Sequence, residues 1–275
     1  MFEASTAART YLFVPGTRPE RFGKALASGA DAVILDLEDA VAADDKAAAR
    51  EMIADWFRGA ADEDCSRIVV RINDAGSTWF SQDLLALCGA GALRVLLPKA
   101  EDARQIAAVK EAIPGAEVLA LIESARGVAQ VEAVASGGAS RLVFGTLDFA
   151  LDLDIDTTHD ASGLAYAASR IVLASRVAGL PAPVAGVTPQ LDDPARLLAD
   201  LAGARLLGFG AKLCIHPSQV EPIHAALRPS EQAVDWARRV LAADAASPGA
   251  ARLDGRMVDR PVVLQAQRTL GLARD

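Results

Sequence analysis

The sequence predicts an α/β fold, a single (β/α)8 TIM barrel followed by a C-terminal helical extension, and three observations carry that reading. Short apolar or β-branched runs alternate with longer alanine-rich stretches of helical periodicity, the pattern of repeated βα units. Eight such runs can be counted, at residues 11–14, 32–36, 68–72, 94–97, 118–122, 142–144, 184–187 and 212–215. Their intervals mostly suit one strand plus one helix, and neither a low-complexity linker nor a close repeat divides the chain, which favours one barrel over a doubly wound sheet. The barrel is expected over residues 1–229. Residues 230–275 are expected to form helices that pack on the barrel or on a neighbouring subunit.

Punctuation supports individual elements. Arg18-Pro19-Glu20 opens one helix, residues 46–58 continue another, and Asp192-Asp193-Pro194 supplies an N-cap followed by proline. Gly29, Gly179 and Gly208 stand where helices should stop. In the tail, Ala246-Ser247-Pro248-Gly249 reads as a break before Gly255-Arg256-Met257-Val258-Asp259.

Bulk properties narrow the class. A chain of 275 residues with 52% hydrophobic content can bury a sizeable core without staples. Cys65, Cys88 and Cys214 are far apart and form no C-x-x-C pair, which argues against a disulfide framework or a zinc ribbon and fits a reducing cytoplasm. No apolar run is long enough to span a bilayer, and Glu3 interrupts any signal-like start, so neither secretion nor membrane insertion is expected. A net charge of -8 disfavours broad nucleic-acid binding but leaves room for a small anionic ligand.

Barrel chemistry is built at the carboxyl ends of the strands. Those ends read Pro15-Gly16, Asp36-Leu37-Glu38-Asp39, Arg71-Ile72-Asn73, Pro98-Lys99, Glu123-Ser124, Gly145-Thr146-Leu147-Asp148, Gly186-Val187-Thr188 and His216-Pro217, more polar than a structural barrel needs. Ends of adjacent strands lie about 5 Å apart, so Glu123 and Asp148 can meet at one point and suit a hard divalent ion such as Mg2+. Pairing of each with Arg126 or Arg141 is the alternative. His159, His216 and His224 form no ligand cluster, which argues against zinc or iron. Arg71 would project over the mouth and hold a carboxylate or an enolate oxygen, or pair structurally with Glu38 and Asp39. Two acids directly after ILDL suggest that Glu38 and Asp39 support Arg71 or metal-bound waters. Lys24, Lys46 and Lys99 are candidates for phosphate contacts or for ordinary surface positions. Lys99 also admits a Schiff-base aldolase, ranked below a metal mechanism that uses both carboxylates. His216 alone reads as a structural residue. GFGAK at residues 208–212 precedes a strand and is no nucleotide loop.

The strings YLFVPGTRPERFGKALASGADAVILDLEDAV, VVRIN, LLPKAE, ALIESARG, FGTLDFALDL and KLCIHPSQV, in that order, resemble the citrate lyase beta subunit family over nearly the whole chain. The resemblance implies a magnesium-dependent barrel, commonly a trimer. It implies Glu123 and Asp148 as metal ligands, Arg71 as the substrate-binding arginine, and Phe13, Lys24, Ile215 and His216 as contacts of a coenzyme A thioester. The tail segment GRMVDRPVV is similar to the C-terminal motif of coenzyme A lyase members, which implies Asp259 as a catalytic acid/base reaching across a subunit boundary. The chain departs from the family at Ala185-Gly186, where Asp-Gly is usual, and this bears on substrate choice more than on the metal.

The expected reaction is reversible Claisen-type cleavage of a 3-hydroxy-3-carboxyacyl-CoA of the malyl or citramalyl type to acetyl-CoA and a 2-oxo acid. The alternatives are a citrate lyase subunit working on an acyl-carrier protein, a malyl-CoA thioesterase, and a non-catalytic binding barrel supported only by Ala185.

Overall fold

The structure, a computed structural model, describes residues 7–157, 162–247 and 251–273. His159 and the Pro248-Gly249 portion of the tail break lie outside the described residues. Residues Ala7–Ile223 form one compact unit, and a second begins at His224, inside the helix Val220–Leu227 rather than after it.

All eight expected strands are present in the first unit: β1 Thr10–Pro15, β2 Ala32–Asp36, β3 Ile68–Arg71, β4 Arg94–Leu97, β5 Glu117–Ile122, β6 Arg141–Phe144, β7 Val184–Ala185 and β8 Ala211–Cys214. They pair in parallel in sequence order, and β8 returns to β1 to close the barrel. A parallel strand flanked by helices buries both faces, which is why these runs are apolar throughout instead of alternating. Gly29, Gly179 and Gly208 do end turns or helices, each with positive φ. Asp193 caps the helix Pro194–Leu207 by accepting from Arg196 N at 2.9 Å.

Strand parity fixes what the barrel contains. Successive side chains point to opposite faces, so Tyr11, Ile34, Val69, Leu96, Leu119, Leu121, Val143, Val184 and Leu213 pack together inside. Burying each large aliphatic contributes about 1.5–3 kcal/mol. Extending the same parity by one step places Phe13, Asp36, Arg71, Glu123, Gly145 and Ile215 at the carboxyl-end mouth. The opposite parity sends Ala185 and its register partner Lys212 to the outer face, so the departure at Ala185 falls in the barrel's outer wall.

The second unit comprises the helices Glu231–Ala246 and Arg260–Leu272 and a short hairpin, β9 Arg252–Leu253 with β10 Arg256–Met257. Its core is Ala237, Val240, Ala251, Val258 and Ala266. No helix among the described residues is long and apolar enough to cross a membrane.

Candidate active site

Phe13, Asp36, Asp39, Arg71, Glu123, Asp148 and Ile215 line one cavity of about 420 Å3 at the carboxyl ends of the strands. Arg71 is its best-anchored member. Its Nε donates to Asp36 Oδ1 at 2.7 Å, its Nη2 to Asp36 Oδ2 at 2.5 Å and its Nη1 to Asp39 Oδ2 at 3.2 Å. Glu38 Oε2 stands 2.9 Å from Nη1, at ion-pair distance but without hydrogen-bond geometry. The Phe13 ring lies 4.9 Å from the guanidinium carbon, a cation–π contact that fills the remaining side. The surrounding acids hold Arg71 above its ordinary pKa although burial alone would lower it.

Asp36 is the partner that sequence reasoning did not assign. Its carboxylate accepts from the backbone N–H of Glu38 at 2.8 Å and of Ala40 at 3.0 Å as well as from Arg71, so one buried side chain ties the β2 turn to β3. A signal was available, since Asp36 follows Ala32 and Ile34 at period two and must face inward.

Glu123 extends β5 into the mouth and is 4% exposed. Its Oε1 accepts from Lys99 N at 2.8 Å, and Lys99 itself is held in the left-handed region at φ 44. On its other side only glycine fits at position 145, because a Cβ there would lie 2.6 Å from Glu123 Oε2. Asp148 is exposed on the first turn of the helix Thr146–Asp152. Neither carboxylate takes the arginine partners that the alternative required. Arg126 faces Glu101 at 3.8 Å, and Arg141 donates to the carbonyls of Ala8 and Ala182 and to the Tyr11 hydroxyl.

Burial pushes Glu123 up to about 8, assisted by Glu38 and Asp148 and opposed by the Lys99 amide and Arg71. Burial likewise pushes Glu38 up to about 7 against the pull of Arg71, with Asp39 and Asp36 adding to the rise. The mouth thus gathers more carboxylate than its cations neutralise, and Glu38 Oε2 is buried without a hydrogen bond. This donor set fits a hard divalent cation, which relieves that imbalance through oxygen ligands. Among the described residues no three His, Cys, Asp or Glu side chains group as ligands. Glu123 and Asp148 would therefore supply two oxygens, with water and substrate supplying the others.

The other expected contacts divide. Ile215 lines the cavity and is 39% exposed. His216 caps the following turn, its Nδ1 accepting from Ser218 N at 3.2 Å, and Lys24 is exposed on the helix Phe22–Leu26; neither lines the cavity. Lys46 does not serve as a phosphate contact. It is buried, donates to the carbonyls of Leu37 and Glu38 at 2.7 Å each, and lies over the Trp79 ring. Lys99 is exposed, and its ammonium is held above its ordinary pKa by Glu38, Asp74, Glu123 and Asp39 against the lowering effect of burial. Asp259, in the second unit, is exposed and caps the helix Arg260–Leu272 by accepting from Val262 N at 3.2 Å.

A citrate lyase subunit beta-like protein of Mycobacterium tuberculosis is 40% identical over 266 residues, covering 94% of this chain and 93% of the relative. A (3S)-malyl-CoA thioesterase of Cereibacter sphaeroides is 33% identical over 270 residues, covering 96% and 94%. The crystal structure of CitE from M. tuberculosis in complex with magnesium, acetoacetate and coenzyme A is similar at a TM-score of 0.87 and 38% identity, covering 98% of this chain and 99% of that one. Residues 9–217 match the HpcH/HpaI aldolase/citrate lyase family, and the chain belongs to that family.

Proposed function

We propose that the protein is a magnesium-dependent carbon–carbon lyase that cleaves a 3-hydroxy-3-carboxyacyl-CoA of the malyl or citramalyl type to acetyl-CoA and a 2-oxo acid. The observation that carries this is the convergence of Glu123, Asp148 and Arg71 on one cavity, in a chain similar to a protein crystallised with magnesium, acetoacetate and coenzyme A.

Magnesium held by Glu123 and Asp148 would supply Lewis-acid polarisation of the substrate hydroxyl and its neighbouring carboxylate, lowering the hydroxyl pKa. The hydroxyl gives its proton to water, its oxygen becomes the carbonyl of the 2-oxo acid, and the electron pair of the broken carbon–carbon bond passes to the thioester as an enolate. Arg71 accounts for that charge. Asp36 fixes its plane, and its positive charge faces the cavity where the thioester oxygen turns anionic. Glu38 and Asp39 restrain the same guanidinium. Phe13 and Ile215 provide apolar surface for the pantetheine arm, and Lys24 and His216 are assigned to its outer contacts. The enolate carbon must then take up a proton. Asp259 of a second copy is assigned as that acid, which requires an oligomer, and a homotrimer is the form we propose.

Two other outcomes have specific support. The relative named as a malyl-CoA thioesterase favours hydrolysis of the same thioester, and the family itself includes citrate lyase subunits, for which an acyl-carrier protein would carry the substrate. Purified protein with magnesium should release acetyl-CoA and a 2-oxo acid in equal amounts from malyl- or citramalyl-CoA. A free hydroxydiacid without 2-oxo acid would replace the lyase by the thioesterase. Inactivity on every free CoA ester, citryl-CoA included, would point to the carrier-bound substrate.

A further inference from the structure

Between Glu123 and Asp148 runs a connection that the lyase reading does not use. Asp152 is the penultimate residue of the motif FGTLDFALDL, four residues after Asp148 and therefore on the same face of the helix Thr146–Asp152. Its Oδ2 accepts from the backbone N–H of Ala125 at 2.7 Å, across 27 residues of sequence. Ala125 opens the helix that follows β5 and lies two residues after Glu123. The bond thus joins the loop that bears one carboxylate to the helix that bears the other. A second brace stands beside it, where Ser124 Oγ donates to Glu101 Oε1 at 2.5 Å and ties the β5 loop to the β4 loop. Deeper in, Glu123 packs against Gly145 just before the helix begins. Glu123 and Asp148 are therefore held relative to each other at the strand end by Gly145 and at the rim by Asp152.

We infer that Asp152 is a positioning residue which, by its hydrogen bond to Ala125 N, sets the separation of Glu123 and Asp148 and so the affinity of that pair for a divalent cation. The inference rests on the proposed role of those two carboxylates. Both oxygens of a two-carboxylate site must sit within a few tenths of an ångström of the ion's preferred shell, because magnesium tolerates little distortion. Asp148 stands on the exposed side of a short helix that Phe149 and Ala150 anchor from beneath, and the bond from Asp152 ties the last turn of that helix to the β5 loop, which limits tilting at the rim. Residues that orient metal ligands typically govern affinity by about 10- to 100-fold when removed.

Two variants delete the same bond from opposite ends. Asp152→Ala removes the acceptor. Ala125→Pro removes the donor at the first position of a helix, where proline is tolerated, and Ser124 before it is already extended at φ -138 and ψ 160, as a residue preceding proline must be. Magnesium affinity is measured calorimetrically on the full chain without substrate, with thermal melting to confirm folding. Each variant should weaken magnesium binding about tenfold, the double variant should be no worse than either alone, and Asp152→Asn, which keeps an acceptor oxygen, should bind within about twofold of the parent. Loss in Asp152→Ala but not in Ala125→Pro would assign the effect to the charge of Asp152 and overturn the inference, as would unchanged affinity in both. Asp148→Ala is run alongside. If it too binds magnesium normally, the metal reading itself fails; if it alone loses binding, only the role of Asp152 does. A variant that does not melt cooperatively is set aside, and the remaining one decides.

Discussion

Arg71 and Asp36 form a parallel two-bond pair across β2 and β3, with Asp36 1% exposed and the two strands in register at that very position. The pair is at once structural and chemical. It satisfies a buried carboxylate and fixes the plane of the cation that faces the substrate. Replacing Asp36 breaks a charged two-bond contact and leaves Arg71 with Glu38 and Asp39 alone, at about 1.5–3 kcal/mol per charged bond lost.

Asp36→Asn should therefore lower stability by about 3 kcal/mol while leaving Arg71 loosely placed. Arg71→Lys keeps the charge but cannot make two parallel bonds, so turnover should fall by about 100-fold with a smaller stability loss. Denaturant titration and steady-state rates separate the two effects. Near-normal turnover in Arg71→Lys would leave Arg71 only its structural role.

The raised carboxylates predict how magnesium binding responds to pH. Glu123, at about 8, and Glu38, at about 7, hold protons in the metal-free protein at pH 6 that the unfolded chain has already released above its ordinary 4.5. The folded state binds more protons there, so metal-free stability declines as pH rises from about 4.5 to about 8. Binding expels the proton from Glu123. Affinity should accordingly climb by up to tenfold per pH unit between about 6 and 8 and then level off, with proton release visible as a buffer-dependent heat. Glu123→Ala and Asp148→Ala should abolish binding in a barrel that still melts cooperatively. A pH-independent affinity would show that Glu123 does not ligate the ion.

The eight strands were legible because a parallel barrel buries both faces of each strand and so writes it as an apolar run; β2 and β4 fall at the expected residues, and the other six differ at one or both ends. The mouth residues Glu123 and Arg71 were legible for the complementary reason, polar groups set directly after such runs. What escaped were contacts between distant segments. Asp36 was passed over for Glu38 and Asp39 because its neighbours in sequence are equally acidic, and only inward parity singles it out. Lys46 reads in the sequence as a candidate phosphate contact or an ordinary surface lysine, whereas the turn after β2 folds back to offer it two carbonyls. The tie from Asp152 to Ala125 involves a backbone N–H, which no side-chain pattern reports.

Lys212 gives a test independent of the metal. It is 2% exposed on the outer wall beside Ala185, donates to the Gly186 carbonyl at 2.8 Å, and burial lowers it to about 8, with Asp200 and Cys214 opposing and Arg196 reinforcing the shift. Below pH 8 folded and unfolded chains both carry the proton. Between about 8 and the ordinary 10.5 only the unfolded chain keeps it, so unfolding takes up a proton and stability from this residue rises with pH. The stability difference between the parent and Lys212→Met should therefore grow in favour of the parent from pH 8 to 10, at up to about 1.4 kcal/mol per pH unit. A flat difference in urea titrations would mean that the ammonium is not desolvated.

The visible role of Asp259 is to cap a helix, and a cap alone explains an aspartate before Arg260-Pro261. The two roles can be separated, because asparagine caps as well as aspartate but cannot deliver a proton. Asp259→Asn should keep the melting temperature of the parent and lose turnover by at least about 100-fold, the scale of a missing general acid. If the acid serves a neighbouring copy, an Asp259→Asn chain retains an intact Glu123 and an inactive Glu123→Ala chain retains an intact Asp259. Mixing the two under conditions that exchange subunits should then assemble some complete sites and restore part of the activity. The restored rate should scale with the fraction of mixed oligomers measured by native mass spectrometry. Full activity of Asp259→Asn alone would reduce the residue to its cap, and no recovery despite demonstrated exchange would confine each site to a single chain.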